Sequence, residues 1–278
     1  MTKWPASNLP RFSASGQSIY LGDCSVLIEE LPAGSVDVIV TSPPYNIGTS
    51  YSSYDDTIER EEYLMWMGDI ARGMSRVLHP EGSIFINLSG SCLDPWVPMD
   101  VAMELRRHFV LQNRIIWAKS VSISDESHGH FRPINSPRFL NQTFEDVFHF
   151  THEGTVRLDR LSIGVPYAHK SNVTRWSGGV DRRCGGRVWF IPYDTINDRE
   201  DQRGGHVATF PVELPTRCIK LHGLRDDLMV LDPFLGHGTT LVATRDLGLQ
   251  AAGCEIDEGY VAFTLKRLEE KPERPAGG

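Results

Sequence analysis

Asp232-Pro233-Phe234-Leu235-Gly236-His237-Gly238-Thr239-Thr240 follows the apolar run Leu228 to Leu231 and runs into a helix-like stretch, Thr239 to Leu247. This is a strand that ends in a glycine-bearing loop and reopens as a helix. In α/β sheets, ligands bind beyond the carboxyl ends of the strands, where such loops lie. Gly236 and Gly238 permit a tight turn and close backbone approach. Thr239 and Thr240 place hydroxyls at the helix start. A phosphate loop would require Gly-Lys-Ser/Thr, and this loop has Gly-Thr-Thr instead. Without the lysine, the loop suits an uncharged or amino-acid part of a ligand.

Working outward, Gln250 to Glu255 reads as the next strand, and Glu255 closes it about 20 residues beyond the glycines. An acid there can accept both ribose hydroxyls of an adenosine-containing cofactor. Far upstream, Val36 to Val40 is a strand without alternation, as expected when both faces are covered. It leads into Thr41-Ser42-Pro43-Pro44-Tyr45-Asn46. Two prolines fix two φ angles and remove two N–H donors, which leaves a stiff loop with free carbonyls and a placed aromatic ring.

The rest of the chain supplies alternating elements. Strands are expected at Ile19–Leu21, Ser83–Leu88, Arg114–Trp117 and Glu145–Thr151. Helices are expected at Ser25–Leu31, Glu61–Leu78, Val97–Arg107, Pro211–Leu221 and Glu258–Leu268. Leu64, Met67, Ile70, Ala71, Met74 and Leu78 carry the helical period of the longest one. Such alternation implies an α/β fold around a mostly parallel sheet covered on both sides. From about Ser120 to Gly205 the periodicity lapses, and so long an irregular stretch in a compact domain is usually functional. The expected organisation is one domain built from residues 1–119 and 206–278, with 120–205 inserted.

Composition sets limits. The net charge of −8 over 278 residues is unpromising for a nucleic-acid partner. Arg157 to Arg187, however, holds seven basic and two acidic residues, a local +5 that leaves −13 elsewhere. The five cysteines are scattered and form no C-x-x-C pair, so no zinc site or disulfide framework is expected. Free thiols suit a reducing compartment, hence the cytoplasm. No apolar stretch approaches the roughly 20 residues of a membrane span.

Taken together, Asp-Pro-Phe-x-Gly-x-Gly-Thr-Thr, Gly253-Cys254-Glu255-Ile256-Asp257 and Ser42-Pro43-Pro44-Tyr45 resemble the motifs of DNA amino-methyltransferases. The catalytic motif precedes the cofactor motif, with a long segment between, as in their permuted β group. The resemblance implies a Rossmann-like methyltransferase fold and S-adenosyl-L-methionine as cofactor. It assigns the cofactor to Asp23, Cys24, Thr41, His206, Phe210, Asp232, Pro233, Phe234, Gly236, Gly238, Thr239, Thr240 and Glu255, with Asp23 at the adenine. Ser42, Pro43, Pro44 and Tyr45 are the implied catalytic residues, and no metal is implied. Family members often carry a small residue at the position of His237 and a basic one near Gln250, and this chain departs at both.

The chemistry of the loop agrees. An exocyclic amino group is a poor nucleophile because its lone pair is delocalised into the ring. Ser42 Oγ and the Pro43 carbonyl can accept its two N–H bonds and free the lone pair, while Tyr45 stacks on an extruded base. The 5-methylcytosine route needs a Pro-Cys nucleophile, and no proline here is followed by cysteine. A serine at the first motif position favours N4 of cytosine over N6 of adenine. Two alternatives stay open: an RNA or protein-amide methyltransferase, and a DNA-binding relative without catalysis.

Residues 120–205 would then recognise double-stranded DNA. Lys119, Arg138, Lys170, Arg175, Arg182 and Arg183 are the candidate DNA contacts, and Asn135, Arg138, Asn141, Gln142, Asn172 and Arg175 could read base edges. A homodimer and a restriction endonuclease counterpart are the further partners that the resemblance suggests.

Overall fold

The computed structural model describes Trp4 and residues 7–51, 53–131, 133–192 and 209–270. Its centre is β3 (Val36–Thr41), all six residues of which are buried. On one side β3 pairs in parallel with β10 (Met229–Asp232), then come β11 (Gln250–Glu255), β2 (Gln17–Leu21) and, antiparallel at the edge, β1 (Arg11–Ala14). On the other side β3 pairs in parallel with β4 (Leu78–Leu88). Beyond β4 lie β8 (Phe144–Thr151), β5 (Val110–Ala118) and β9 (Val188–Phe190). β8 is antiparallel to both its neighbours, and the other strands from β2 to β9 run in one direction.

The pleat feeds two cores. Val36, Ile39, Ile84, Ile86, Phe148 and Leu231 pack with α1 (Cys24–Glu30), α2 (Arg60–Val77) and α3 (Val97–Leu105). Val38, Val40, Phe85, Val147, Val230 and Ala251 face the opposite way, against α5 (Glu213–His222), α6 (Thr239–Asp246) and α7 (Glu258–Glu269). This two-sided burial is why the strands read as unbroken apolar runs. It also creates the site. The chain leaving β3 passes to α2 on one face, while the chain leaving the adjacent β10 passes to α6 on the other. The two loops diverge and open a crevice at the carboxyl ends of the strands.

Several expectations are revised. The helix over Glu61–Leu78 ends at Val77, and β4 begins at once rather than at Ser83. Leu78 pairs with Val36 and Ser83 with Val38, so Pro80-Glu81-Gly82 bulges between two paired residues. β1 was not legible because only four residues form it, at an edge, before a turn at Ser15 and Gly16. The segment 120–205 is less irregular than its composition suggests. It contains the hairpin of β6 (Ser120–Ile123) and β7 (Glu126–Gly129), and the short helix α4 (Ser171–Ser177). It also returns β8 and β9 to the central sheet, so the inserted region shares its core with the domain around it.

Candidate active site

A cavity of about 530 Å³ lies over the carboxyl ends of β2, β11, β10 and β3. Gly22, Asp23, Cys24, Gly236 and Glu255 line one end, Ser42 to Tyr45 the middle, and Ser89, Gln142 and Glu145 the other end.

At the first end the geometry is built around Glu255. One carboxylate oxygen accepts the Gly236 N–H at 2.7 Å and the other accepts the Asp257 N–H at 2.9 Å. Burial raises the Glu255 carboxyl, and these N–H groups oppose that shift. Asp23 caps α1 through an oxygen that accepts from the Ser25 N–H at 2.8 Å, so its side chain is held at the cavity edge. Cys24 is buried beside it, and burial keeps its thiol protonated. Gly236 and Gly238 adopt φ of +51° and +75°. A Cβ at Gly238 would lie 2.2 Å from Thr264 Cγ2, so that position excludes a side chain on two counts.

Asp232 lies at the seam between the two loops. It is fully buried and accepts the Thr41 hydroxyl at 2.6 Å and the Phe234 N–H at 3.2 Å. Among the described residues its second oxygen, Oδ2, has no donor. Burial pushes the Asp232 carboxyl up to about 6, against the Thr41 and Thr240 hydroxyls, which lower it. A buried carboxylate oxygen without a donor, set just behind the cavity wall, fits a cationic group such as an amino-acid ammonium. With Glu255 at the neighbouring strand end, the set matches an adenosine joined to an amino-acid moiety.

In the central loop, the Tyr63 hydroxyl donates to the Pro44 carbonyl at 2.7 Å. Among the described residues no donor reaches the Pro43 carbonyl. Ser42 Oγ lies 2.7 Å from the Tyr45 hydroxyl, to which Asn87 Nδ2 donates at 2.8 Å. Beyond the loop, Asp56 is buried and accepts the N–H groups of Asn46, Ile47 and Thr49. Those bonds fold the segment after Tyr45 over the cavity and bring in Tyr51 and Tyr54. Tyr54 stacks on Trp66 at 5.8 Å, and Trp66 meets Phe234 edge-on at 5.5 Å.

Most of the expected cofactor residues are brought together here: Asp23, Cys24, Phe210, Pro233, Phe234, Gly236, Thr239 and Glu255 line the one cavity, with Asp232 and Thr41 just behind. His206 lies outside the described residues. Sequence reasoning missed Trp66, Tyr51, Tyr54, Tyr260, Asn87 and Glu145. Tyr51 and Tyr54 belong to a tyrosine-rich loop that could have been flagged. Asn87 was signalled only as a polar residue within Ile-Phe-Ile-Asn-Leu. His237 packs its ring against Tyr260 and Phe263, both at 4.7 Å, on the cavity rim.

The basic residues behave differently from one another. Lys119 does not reach outward as a phosphate contact would. Its ammonium meets Glu145 Oε1 at 2.9 Å, and both side chains are largely buried. Lys170 pairs with Asp181, and Arg182 donates to the Gly164 carbonyl at 2.8 Å. Arg138 and Arg175 are exposed and lie over Phe139 and Trp176. Of the expected base readers, Asn141 is occupied with the Ile134 N–H, whereas Gln142 reaches the cavity and donates to Ser89 Oγ and the Gly90 carbonyl.

The model of the DNA methylases of the N6/N4 type matches residues 36–266, a span that includes both loops. The chain belongs to the DNA methylase family. The methylase is 29% identical over 276 residues to the type II methyltransferase M.BglII of Bacillus subtilis, covering 92% of this chain and 69% of that one. It is 26% identical over 262 residues to the DNA adenine methyltransferase YhdJ of Escherichia coli K12, covering 93% and 85%. Among solved structures, the cytosine-N4-specific PvuII DNA methyltransferase superposes with a TM-score of 0.71 at 19% identity, over 97% of this chain and 92% of that one. A DNA modification methylase of Thermus thermophilus, solved with S-adenosyl-L-methionine, gives 0.62 at 24% identity, over 90% and 92%. The methylase is thus a DNA amino-methyltransferase that uses S-adenosylmethionine as methyl donor, on a Rossmann-like α/β sheet. Among the described residues no cluster could hold a metal ion, and no helix is long and apolar enough to cross a membrane.

Proposed function

We propose that this enzyme methylates the exocyclic N4 of cytosine in double-stranded DNA. The observation that carries the reading is the pair of acceptors at the centre of the cavity. Ser42 offers a neutral hydroxyl, and the Pro43 carbonyl beside it is free of donors among the described residues. An amino group held by both loses conjugation with its ring and turns its lone pair outward. Ser42 is a weaker acceptor than the carboxylate or amide used at this position for adenine, and cytosine N4 is the better match for it.

The cofactor, when bound, supplies an electrophilic methyl group on a sulfonium. Glu255 would hold its ribose, Asp232 its amino-acid ammonium, and Asp23 the edge of its adenine. The Tyr45 ring would stack on a base extruded from the duplex, because the amino group is out of reach inside the helix. Exposed parts of residues 120–205, with Arg138, Arg175 and Arg183, would meet the phosphates and set the recognised site. A homodimer and an endonuclease counterpart are proposed partners, by analogy with type II methyltransferases.

N6 of adenine is the second reading, favoured by the likeness to the adenine methyltransferase of E. coli. Digesting DNA methylated by the purified enzyme to nucleosides, and separating them by mass spectrometry, tests the choice. N4-methylcytosine is expected. N6-methyladenine as sole product would replace the cytosine reading and leave the two acceptors in place.

A further inference from the structure

Glu145 stands at the base end of the cavity, near the start of β8, the strand that the fold inserts between β4 and β5. Its Oε2 accepts Asn87 Nδ2 at 2.6 Å and lies 3.4 Å from the Tyr45 hydroxyl. Its Oε1 accepts Lys119 Nζ at 2.9 Å. The carboxylate and ammonium are only 11% and 16% exposed, and Glu145 lines the cavity while Lys119 stands behind it. A buried ion pair is expensive to assemble and rarely adds stability, so one facing a reaction site points to a functional role.

The hydrogens in this cluster can be counted. Asn87 Nδ2 carries two, one for Glu145 and one for the Tyr45 oxygen. The Tyr45 hydroxyl, holding Asn87's hydrogen as acceptor, keeps its own proton to give. Burial and the Glu145 carboxylate hold the phenol well above its usual range, so that proton is retained. Two arrangements follow. Either Tyr45 donates to Ser42 Oγ, or Ser42 donates to Tyr45 and Tyr45 donates to Glu145. A base amino group presents only hydrogens to Ser42. It selects the second arrangement, in which the Ser42 proton is turned away and its lone pairs face the base. Glu145, through Tyr45, thereby makes a neutral serine a stronger acceptor.

We propose that Glu145 is a positioning residue that polarises Ser42 through Tyr45 and takes up the proton released when the base is methylated. The proposal rests on the reading of Ser42 as acceptor of the amino group. Once the new N–C bond has formed, the base nitrogen is cationic and must lose one N–H proton. That proton passes to Ser42 Oγ as the Ser42 hydroxyl proton passes to Tyr45 Oη and the Tyr45 proton passes to Glu145 Oε2. The N–H electron pair returns to the base, which leaves neutral. Ser42 and Tyr45 are restored, and Glu145 becomes a neutral acid that discharges to solvent once the base vacates the cavity. Lys119 holds the carboxylate in line and supplies its countercharge.

The test compares Glu145→Gln, Tyr45→Phe, their double variant and Ser42→Ala in single-turnover methyl transfer to duplex DNA, with cofactor and DNA affinities measured by calorimetry. Tyr45→Phe keeps the stacking ring and leaves the Lys119–Glu145 pair intact, so it carries the test alone if Glu145→Gln does not fold. Each of these two variants should slow transfer by roughly 100-fold. Both affinities should stay within about threefold, and the double variant should be little slower than the slower single one, because the residues act in one chain. Multiplicative losses, an unchanged rate in Tyr45→Phe, or a loss confined to DNA affinity would each overturn the relay. If Ser42→Ala alone is slow, the relay fails and the acceptor reading stands. If Ser42→Ala transfers methyl at the native rate, the acceptor reading itself fails.

Discussion

The Thr41 hydroxyl donates to the buried Asp232 carboxylate at 2.6 Å, although 191 residues separate them in the chain. Thr41 ends β3 and Asp232 ends β10, and the two strands are parallel neighbours. One bond therefore ties the loop that would hold the base to the loop that would hold the cofactor. A shift in either motif is felt by the other, which suits a transfer between two ligands that needs close alignment.

Replacing Asp232 tests the cofactor end. In a folded Asp232→Ala protein, S-adenosylmethionine affinity should fall by at least roughly tenfold, about 1.4 kcal/mol, because a charged partner is lost. Calorimetry without DNA is the measurement. Unchanged affinity would remove Asp232 from the site.

The same carboxyl gives a pH dependence. In the free protein Asp232 is raised to about 6 from 3.8, and only its ionised form attracts an ammonium. Cofactor binding should be insensitive above this value and weaken as pH falls through it, approaching tenfold per unit. Asp232→Asn should bind more weakly and lose that dependence. Titrations at several pH values between 7 and 5 on the order of one unit apart would show it.

Acid should also loosen the fold by an independent route. His149 is fully buried, stacked on Phe85, and shares Ser83 Oγ with His222. Burial lowers His149 to about 3 and His222 to about 4, from 6.5. Both are neutral in the folded chain and take up protons on unfolding. Their contribution is whole above about 6.5 and drains away as pH falls toward the folded values. For His149 the slope is about 1.4 kcal/mol per pH unit. Urea midpoints should drop across this window, and His149→Gln should flatten the drop.

Gly238 offers a steric test. Gly238→Ala forces a side chain at φ +75° and drives Cβ to 2.2 Å from Thr264 Cγ2. A loss of at least about 2 kcal/mol is expected in urea unfolding. The same change in a Thr264→Ala background should cost less, since the contacts with Cγ2 and Oγ1 are removed and the backbone strain and a 3.0 Å approach to the residue-264 Cβ are left.

On the DNA side, Arg182→Ala with Arg183→Ala should weaken duplex binding and flatten its salt dependence, as fewer counterions are released. Cofactor affinity should not move. Arg182 also donates to the Gly164 carbonyl, so a melt must show that the segment stays folded. DNA affinity untouched at low salt would place the phosphate contacts on other parts of the surface.

Much of this protein was legible in the chain because the physics there is local. Apolar runs bounded by glycine and proline marked β3, β10 and β11 to within a residue or two. The dihedral limits of Pro43, Pro44, Gly236 and Gly238 marked the two loops, and Glu255 was placed by its distance from the glycines. The tertiary structure alone decided which strand lies beside which. Alternation says which residues face a core, but strand order rests on pairings between distant segments. It is β8, entering between β4 and β5, that sets Glu145 against Asn87 and Tyr45, 58 and 100 residues earlier in the chain. The same insertion turned Lys119, an expected DNA contact, inward to a carboxylate. Two charges out of water must find each other, and a sequence records the charges but not the meeting.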